Sequence, residues 1–442
     1  MSATIYALSS APGRAGVAVV RLSGPQAGAA LMALTGRELP PARLARRAVL
    51  RNEAGPIDDG LVLWFPSPAS FTGEDVAELH LHGGRAVLAA LFATLSRQPG
   101  LRLAEPGEFS RRAFEHGKLD LTEAEGIADL INAETEAQRR QSLRQMQGEL
   151  GRLYEGWRQV LLRALAHLEA DIDFPEEDLP AGVAAKVTPA VQNLRAEIAR
   201  HLADNRRGER LRDGVGVVIL GAPNVGKSSL LNALARREAA IVSDLAGTTR
   251  DIIEVQLDLG GFPVVLADTA GLRESADRIE SEGVRRALAR AEAADLKLIV
   301  LDATTWPEVP EATRALIDQD CLLLANKTDQ RGLPDGAAID GHKVLPLSVS
   351  SGEGLENLLR ALEQAVASRF ELTGNAALTR ARHREALEHC AASLDRFLAD
   401  PSDAELAAED LRLAARALGR ITGRIEVEDI LDVVFRDFCI GK

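Results

Sequence analysis

Residues 221–228, Gly-Ala-Pro-Asn-Val-Gly-Lys-Ser, constrain the fold more than any other stretch of this 442-residue chain. The spacing Gly-x-x-x-x-Gly-Lys-Ser lets successive backbone N–H groups wrap a row of phosphates, with Lys227 reaching the terminal ones and Ser228 binding Mg²⁺. An apolar run, 215–220, precedes it and a helical pattern follows, which is the strand–loop–helix setting the motif requires. Ordinary residue frequencies give a chance match in a chain this long a probability of about 1–2%, so a simple glycine turn is the weaker reading. Further apolar runs at 264–267, 296–301, 322–325 and 344–347 alternate with helical segments, as a mostly parallel sheet covered by helices requires. Gly260 and Gly261, between two β-like runs, predict an antiparallel hairpin in that sheet.

Asp268-Thr269-Ala270-Gly271 and Asn326-Lys327-Thr328-Asp329 each follow a strand, in the order in which GTPases carry their switch and base-recognition motifs. In that class the Asn and Asp of the second motif hydrogen-bond the guanine ring. A carboxylate paired with the base's N–H groups rejects adenine, which offers the opposite donor pattern, so GTP is the expected nucleotide. Thr248 and Thr249 stand between these motifs and the phosphate loop, where a metal-sensing switch belongs, and Thr249 is the second candidate Mg²⁺ ligand. Ser348, with Val349, follows the last strand like the remaining base-contacting loop, although two short residues carry little information by themselves.

The water that attacks GTP needs a group to orient it. Leu272, directly after the Asp-x-x-Gly motif, can neither donate nor accept. A carboxylate from Asp277, Glu280 or Glu282 reaches the site only if that segment orders over it; the bland reading of these residues is a solvated helix face. No arginine finger is identifiable. Asn224 offers a neutral oxygen that suits a monovalent cation, and its ordinary reading is a loop-turn residue.

The formal net charge of −13 argues against coating nucleic acid by bulk charge, so any RNA contact is local or shared with a partner. Three scattered cysteines, Cys321, Cys390 and Cys439, fit a reducing cytoplasm. With no basic-then-apolar start and no long apolar run, the expectation is a soluble, cytoplasmic protein without membrane contact. Before the phosphate-binding unit, residues 1–118 mix short β-rich runs with Gly/Pro breaks and one helical stretch, 85–97, and read as a small α+β domain. Residues 119–212 are helical, 213–370 form the α/β unit, and 371–442 are helical again. The fold class is therefore multidomain α/β plus all-α, with a Ras-like P-loop GTPase domain inserted into a discontinuous helical domain.

Taken together, the phosphate loop, Ala-Gly-Thr-Thr-Arg-Asp at 246–251, Asp-Thr-Ala-Gly-Leu-Arg-Glu at 268–274 and the terminal Phe-Cys-Ile-Gly-Lys at 438–442 resemble the MnmE (TrmE) family of tRNA-modifying GTPases, within the TrmE-Era-EngA-YihA-Septin-like superfamily. The resemblance covers essentially the whole chain. It implies an N-terminal domain that binds folate and dimerises, an FAD-dependent partner, MnmG (GidA), and a tetrahydrofolate derivative, in the 5,10-methylene or 5-formyl form, as one-carbon donor. The implied activity is a potassium-stimulated GTPase that helps add a carboxymethylaminomethyl or aminomethyl group to carbon 5 of the wobble uridine of certain tRNAs.

Position by position, the resemblance places folate contacts on Arg21, Glu78, Lys118 and Lys442. GTP contacts fall on Asn224, Val225, Gly226, Lys227, Ser228 and Ser229, on Ser243, Asp244, Leu245, Ala246, Gly247, Thr248 and Thr249, on Asp268, Thr269, Ala270 and Gly271, and on Asn326, Lys327, Asp329 and Ser348. Potassium is implied at Asn224, Thr248 and the backbone oxygens of Ser243 and Leu245, and the catalytic carboxylate at Glu280. Cys439 is a candidate nucleophile or, more simply, a packing residue. His80 and His82 alternate on one strand and share a face, but no third ligand for a metal is evident.

Overall fold

The computed structural model describes residues 3–173, 183–237, 254–268, 294–370 and 377–425, together with 431, 434, 435, 438 and 441. The chain forms two compact units.

The first unit comprises residues 1–128, 145–188 and 396–442. Its sheet contains β1 (Thr4–Leu8), β2 (Ala18–Ser23), β3 (Arg46–Asn52), β4 (Gly55–Phe65), β5 (Val76–Leu81) and β6 (Leu101–Leu103), in the order β3-β4-β5-β2-β1-β6. Helices α1 (Ala27–Thr35) and α2 (Arg85–Leu95) supply Leu31, Leu34, Leu91 and Leu95 to a core shared with Val20, Leu22, Leu50 and Leu79 of the strands. Each side chain of this size, fully buried, contributes roughly 1.5–3 kcal/mol. α3 (Glu108–Glu115) and α4 (Leu121–Ile131, whose last residues pass into the second unit) follow. The single helical stretch expected before residue 118 is thus corrected to three helices. α1 escaped because Ala27–Thr35 is apolar or small nearly all round and shows no helical stripe.

The proline-free stretch after residue 121 divides into α4, α5 (Glu136–Met146) and the long α6 (Glu149–Asp173). α6 lies along α13 (Ala404–Thr422). α13 buries Ala407, Leu411, Ala414, Leu418 and Ile421, a spacing of three or four that puts one face on its neighbour. Asp403 caps its start by accepting from Glu405 and Leu406 N–H, and Gly423 ends it at φ 83°.

The second unit comprises residues 129–144 and 189–395. Its strands are β7 (Val215–Leu220), β8 (Glu254–Leu259), β9 (Phe262–Asp268), β10 (Leu296–Asp302), β11 (Cys321–Asn326), β12 (Ala338–Ile339) and β13 (His342–Pro346), in the order β12-β13-β11-β10-β7-β9-β8. All neighbours from β13 to β9 are parallel. The predicted hairpin is present: β8 and β9 pair antiparallel, and Gly260 and Gly261 turn between them at φ 59° and 88°. A second, shorter antiparallel pair, β12 with β13, turns at Asp340 and Gly341, a dipeptide signal that sequence reading passed over.

Residues of β7 feed both faces in turn. Val217 and Ile219 join Leu230 and Leu234 of α9 (Lys227–Arg237) and Leu358, Leu362 and Val366 of α11 (Leu355–Phe370). Val218 and Leu220 join Ile299, Leu301 and Leu323 on the other face. A strand covered on both sides reads as a continuous apolar run, which is why Val-Gly-Val-Val-Ile-Leu does not alternate. The unit also contains most of α5, most of α7 (Val183–Leu202), α8 (Arg207–Asp213), the short α10 (Glu311–Arg314) and most of α12 (Ala381–Ala399).

Candidate functional site: a phosphate loop and an Arg–Glu pair

The phosphate loop leaves the carboxyl end of β7 and opens α9, as its sequence demands. Gly221 adopts φ 145°, and a Cβ there would stand 2.3 Å from the carbonyl oxygen of Val300 on the neighbouring strand. Gly226 adopts φ 101°, and a Cβ there would lie 2.3 Å from Nδ2 of Asn326. Both glycines are therefore dictated by close approach and by left-handed backbone. Asn224 sits exposed at φ 63°, a conformation Asn tolerates better than most residues. Lys227 is buried, and its Nζ donates to the carbonyls of Gly221 and Ala222 at 2.9 Å each. Phosphate oxygens are stronger acceptors for an ammonium than amide carbonyls, so the lysine is held in place for an anion.

The segment expected to read the base is fastened to this loop. Asn326, buried at the end of β11, donates from Nδ2 to Val225 O (2.8 Å) and accepts at Oδ1 from Val349 N–H (3.0 Å). One amide hydrogen and one oxygen lone pair go to the frame, and the rest stay available for a base. Asp329 accepts from Ser348 Oγ (2.7 Å), and that bond is the main reason its carboxyl is held below the usual carboxylate range. Ser348 is fully buried. What looked uninformative as an isolated residue is the strut for the Asp329 carboxylate. Lys327, at φ 69°, pairs its Nζ with Asp302 Oδ2 (2.6 Å) at the end of β10. Burial alone raises Asp302, but the Lys327 and Thr304 bonds outweigh it and leave the carboxyl lowered.

Asp268 ends β9, beside Ile219 on β7, and so reaches the same end of the sheet as the phosphate loop. Ser243, Asp244, Leu245, Ala246, Gly247, Thr248, Thr249, Thr269, Ala270, Gly271 and Glu280 lie outside the described residues, as do Cys439 and Lys442.

In the first unit, Arg21 and Glu78 face each other across β2 and β5, and Arg21 Nε and Nη2 both donate to Glu78 Oε1 at 3.0 and 2.9 Å. The rings of Phe71 and Phe109 flank the guanidinium at 5.3 and 5.7 Å. Glu78 Oε2 lies 3.4 Å from His80 Nε2. His82 is instead engaged by Asp58 through its ring (2.9 Å) and its N–H (2.8 Å). Among the described residues no cluster fit for a metal ion occurs. Lys118 is exposed, and its side chain borders Gly73, in the same loop as Phe71.

The chain's end returns to this sheet. Gly441 adopts φ 101°, its carbonyl accepts from Ser9 Oγ (2.9 Å), and a Cβ on it would meet the Leu8 carbonyl at 2.1 Å. Leu8 ends β1, one residue beyond Ala7, which pairs with Arg21. Phe435 and Phe438 anchor the returning segment against Leu121 and Ala124. Apart from the family resemblance, the sequence there shows only a thiol and a basic end. The glycine between them was the overlooked signal.

Of the other cysteines, Cys321 and Cys390 are buried free thiols, and burial pushes Cys390 up to about 12. No helix among the described residues is long and apolar enough to cross a membrane.

Comparison with known proteins covers the chain end to end. The family described as MnmE helical domain matches residues 121–439, and the family described as GTP-binding protein TrmE N-terminus matches residues 4–118. A tRNA modification GTPase MnmE of Paramagnetospirillum magneticum is 62% identical over 444 residues, covering 100% of both chains. That of Parvibaculum lavamentivorans is 60% identical, covering 99% of this chain and 100% of the relative. A 5-taurinomethyluridine-[tRNA] synthase subunit, the mitochondrial GTPB3 of Danio rerio, is 51% identical, covering 99% of this chain and 93% of the relative.

Proposed function

Because the chain belongs to the MnmE family of tRNA modification GTPases, we propose that it hydrolyses GTP to GDP and phosphate as a step in modifying carbon 5 of the wobble uridine of certain tRNAs. The observation that carries this reading is the Asn326–Val225 bond, which makes phosphate loop and base loop one rigid cradle, in a chain that its relatives match over its full length. The group added is of the aminomethyl or carboxymethylaminomethyl kind. A tetrahydrofolate derivative donates the carbon, and an FAD-dependent MnmG-type protein is the partner of a homodimer of this chain.

Each residue then has a task. Lys227 exchanges its two carbonyl partners for the terminal phosphates, and Asp329, steadied by Ser348, reads the guanine N–H edge. Ser228 and Thr249 hold Mg²⁺. Asn224 has no hydrogen-bonding partner among the described residues and sits at the exposed apex of the loop, which fits a neutral oxygen ligand for potassium. Thr248 and the carbonyls of Ser243 and Leu245 complete that set. When bound, potassium supplies positive charge at the β,γ-phosphates, where an arginine finger would otherwise act. Glu280 orients the attacking water, a task that Leu272 cannot perform.

Arg21 satisfies only one oxygen of Glu78 and keeps donors for an anionic tail, while Phe71 and Phe109 line the guanidinium. Gly441 returns to Leu8, which directly follows Ala7, the strand partner of Arg21. The spare donors of Arg21 and the flanking rings support the reading of Arg21, Glu78, Lys118 and Lys442 as the folate contacts. Cys439 is the thiol left for a packing, positioning or nucleophilic role, since Cys321 and Cys390 are buried.

Two measurements on the purified full chain test the reading: GTP turnover in potassium against sodium at equal ionic strength, and titration with 5-formyl-tetrahydrofolate. Potassium-specific turnover together with folate binding supports it. Equal turnover in sodium removes the cation role, and absence of folate binding removes the one-carbon role.

A further inference from the structure

The amino end of α5 carries a capping box. Thr135 Oγ1 accepts from Gln138 N–H (3.4 Å), and Gln138 Oε1 accepts from Thr135 N–H (3.1 Å). A capping box makes no use of the glutamine's Nε2. Here it donates to the carbonyl of Arg212 at 3.0 Å. A second donor of the same turn, Ala137 N–H, goes to the carbonyl of Gly261 at 3.0 Å. Helix-start N–H groups have no partner within the helix, so the Ala137 bond satisfies a backbone donor that must find one, and the Gln138 Nε2 bond adds a side-chain tie from the same turn.

The positions of the two acceptors give these bonds their meaning. Arg212 stands just ahead of β7, and Gly261 directly precedes β9. β7 and β9 are adjacent and parallel, with Val215 beside Val264 at one end and Ile219 beside Asp268 at the other. β7 delivers the phosphate loop, and β9 delivers Asp268. The far ends of the two strands that serve the phosphates are therefore tied to one turn of one helix, roughly 20 Å from the site at about 3.3 Å per residue. The turn is held on its own side as well, since Gly261 N–H donates to Asp258 Oδ1 (2.7 Å). The β8–β9 hairpin that Ala137 touches also joins the two sequence segments expected to sense the terminal phosphate.

We propose that the first turn of α5 is a clamp on the β7–β9 pair, and that Gln138 is a positioning residue for GTP hydrolysis. It fixes the base of β9 relative to β7, so that the carboxyl end of β9 at Asp268 stands in one place relative to the phosphate loop. The same bonds transmit any nucleotide-dependent movement of the hairpin to α5. The inference rests on the GTPase reading above, so nucleotide binding is measured separately from turnover.

Gln138→Glu isolates the clamp. The carboxylate still accepts from Thr135 and keeps the capping box, but it cannot donate to the Arg212 carbonyl. In the full chain with potassium, its GDP affinity stays within about twofold of wild type, while kcat falls about tenfold at unchanged KM. Wild-type kcat in Gln138→Glu overturns the positioning role. Hydrogen exchange of the unaltered protein gives a second test that needs no variant: protection of residues 136–141 differs between the GDP and GDP–aluminium fluoride states. Identical exchange in both states overturns the clamp even if Gln138→Glu fails to fold. Failure of the wild-type chain to bind GDP would overturn the GTPase reading itself, and the clamp with it.

Discussion

Asn326 donates its side-chain amide to the carbonyl of Val225 across 2.8 Å, which makes the residue expected to read the base also the one that fixes the phosphate loop. Its oxygen takes the N–H of Val349, so a single buried side chain ties together three loops at the carboxyl ends of β7, β11 and β13. Asn326→Ala leaves a carbonyl and an N–H unpaired at about 1–3 kcal/mol each, and GTP and GDP affinity should fall by on the order of 10²-fold. A fluorescent-nucleotide titration measures this, and unchanged affinity would contradict the structural role.

Gly226→Ala should abolish nucleotide binding while leaving the fold intact. The added Cβ would meet Asn326 Nδ2 at 2.3 Å on a backbone held at φ 101°, so the loop must move or the Asn326 bond must break. Circular dichroism shows the fold, and the same titration shows the loss.

Glu280→Ala should lower kcat by about 10²-fold or more with nucleotide affinity nearly unchanged, because a group that orients water stabilises only the transition state. A large loss of affinity with normal turnover would assign Glu280 to substrate binding instead.

The first unit contains a pH-dependent brace. Burial alone would raise the Glu108 carboxyl, but the Arg102 bond, the Glu105 N–H and Arg112 outweigh it and hold the group below its ordinary value of 4.5. A carboxylate lowered by folding stabilises the fold above its ordinary value, and that contribution disappears as pH falls through the lowered one. Glu108→Gln should therefore melt a few degrees below the wild type at pH 7. The gap should close on acidification below 4.5. A gap that widens in acid would contradict the assignment.

The nucleotide half of the protein was largely legible in sequence because its signals are local. The 221–228 spacing, the apolar runs and Gly260 with Gly261 each determine backbone geometry within a few residues of themselves. What stayed hidden depends on distant partners. Ser348 is informative only because it meets Asp329, and Gly441 only because Leu8 crosses its path. The bridge from Gln138 to Arg212 spans 74 positions, and nothing around either residue announces it. Apart from the family resemblance, Arg21 reads as an ordinary surface residue, and only the register of β2 and β5 sets it opposite Glu78.

The most direct test of the central claim, that this GTPase serves tRNA modification, is mass spectrometry of wobble-uridine nucleosides from cells lacking the protein, beside the same cells complemented with it. The account predicts that the carbon-5 modification disappears in the deletion and returns on complementation with the intact chain. An unchanged nucleoside profile in the deletion would contradict it and leave only a GTPase.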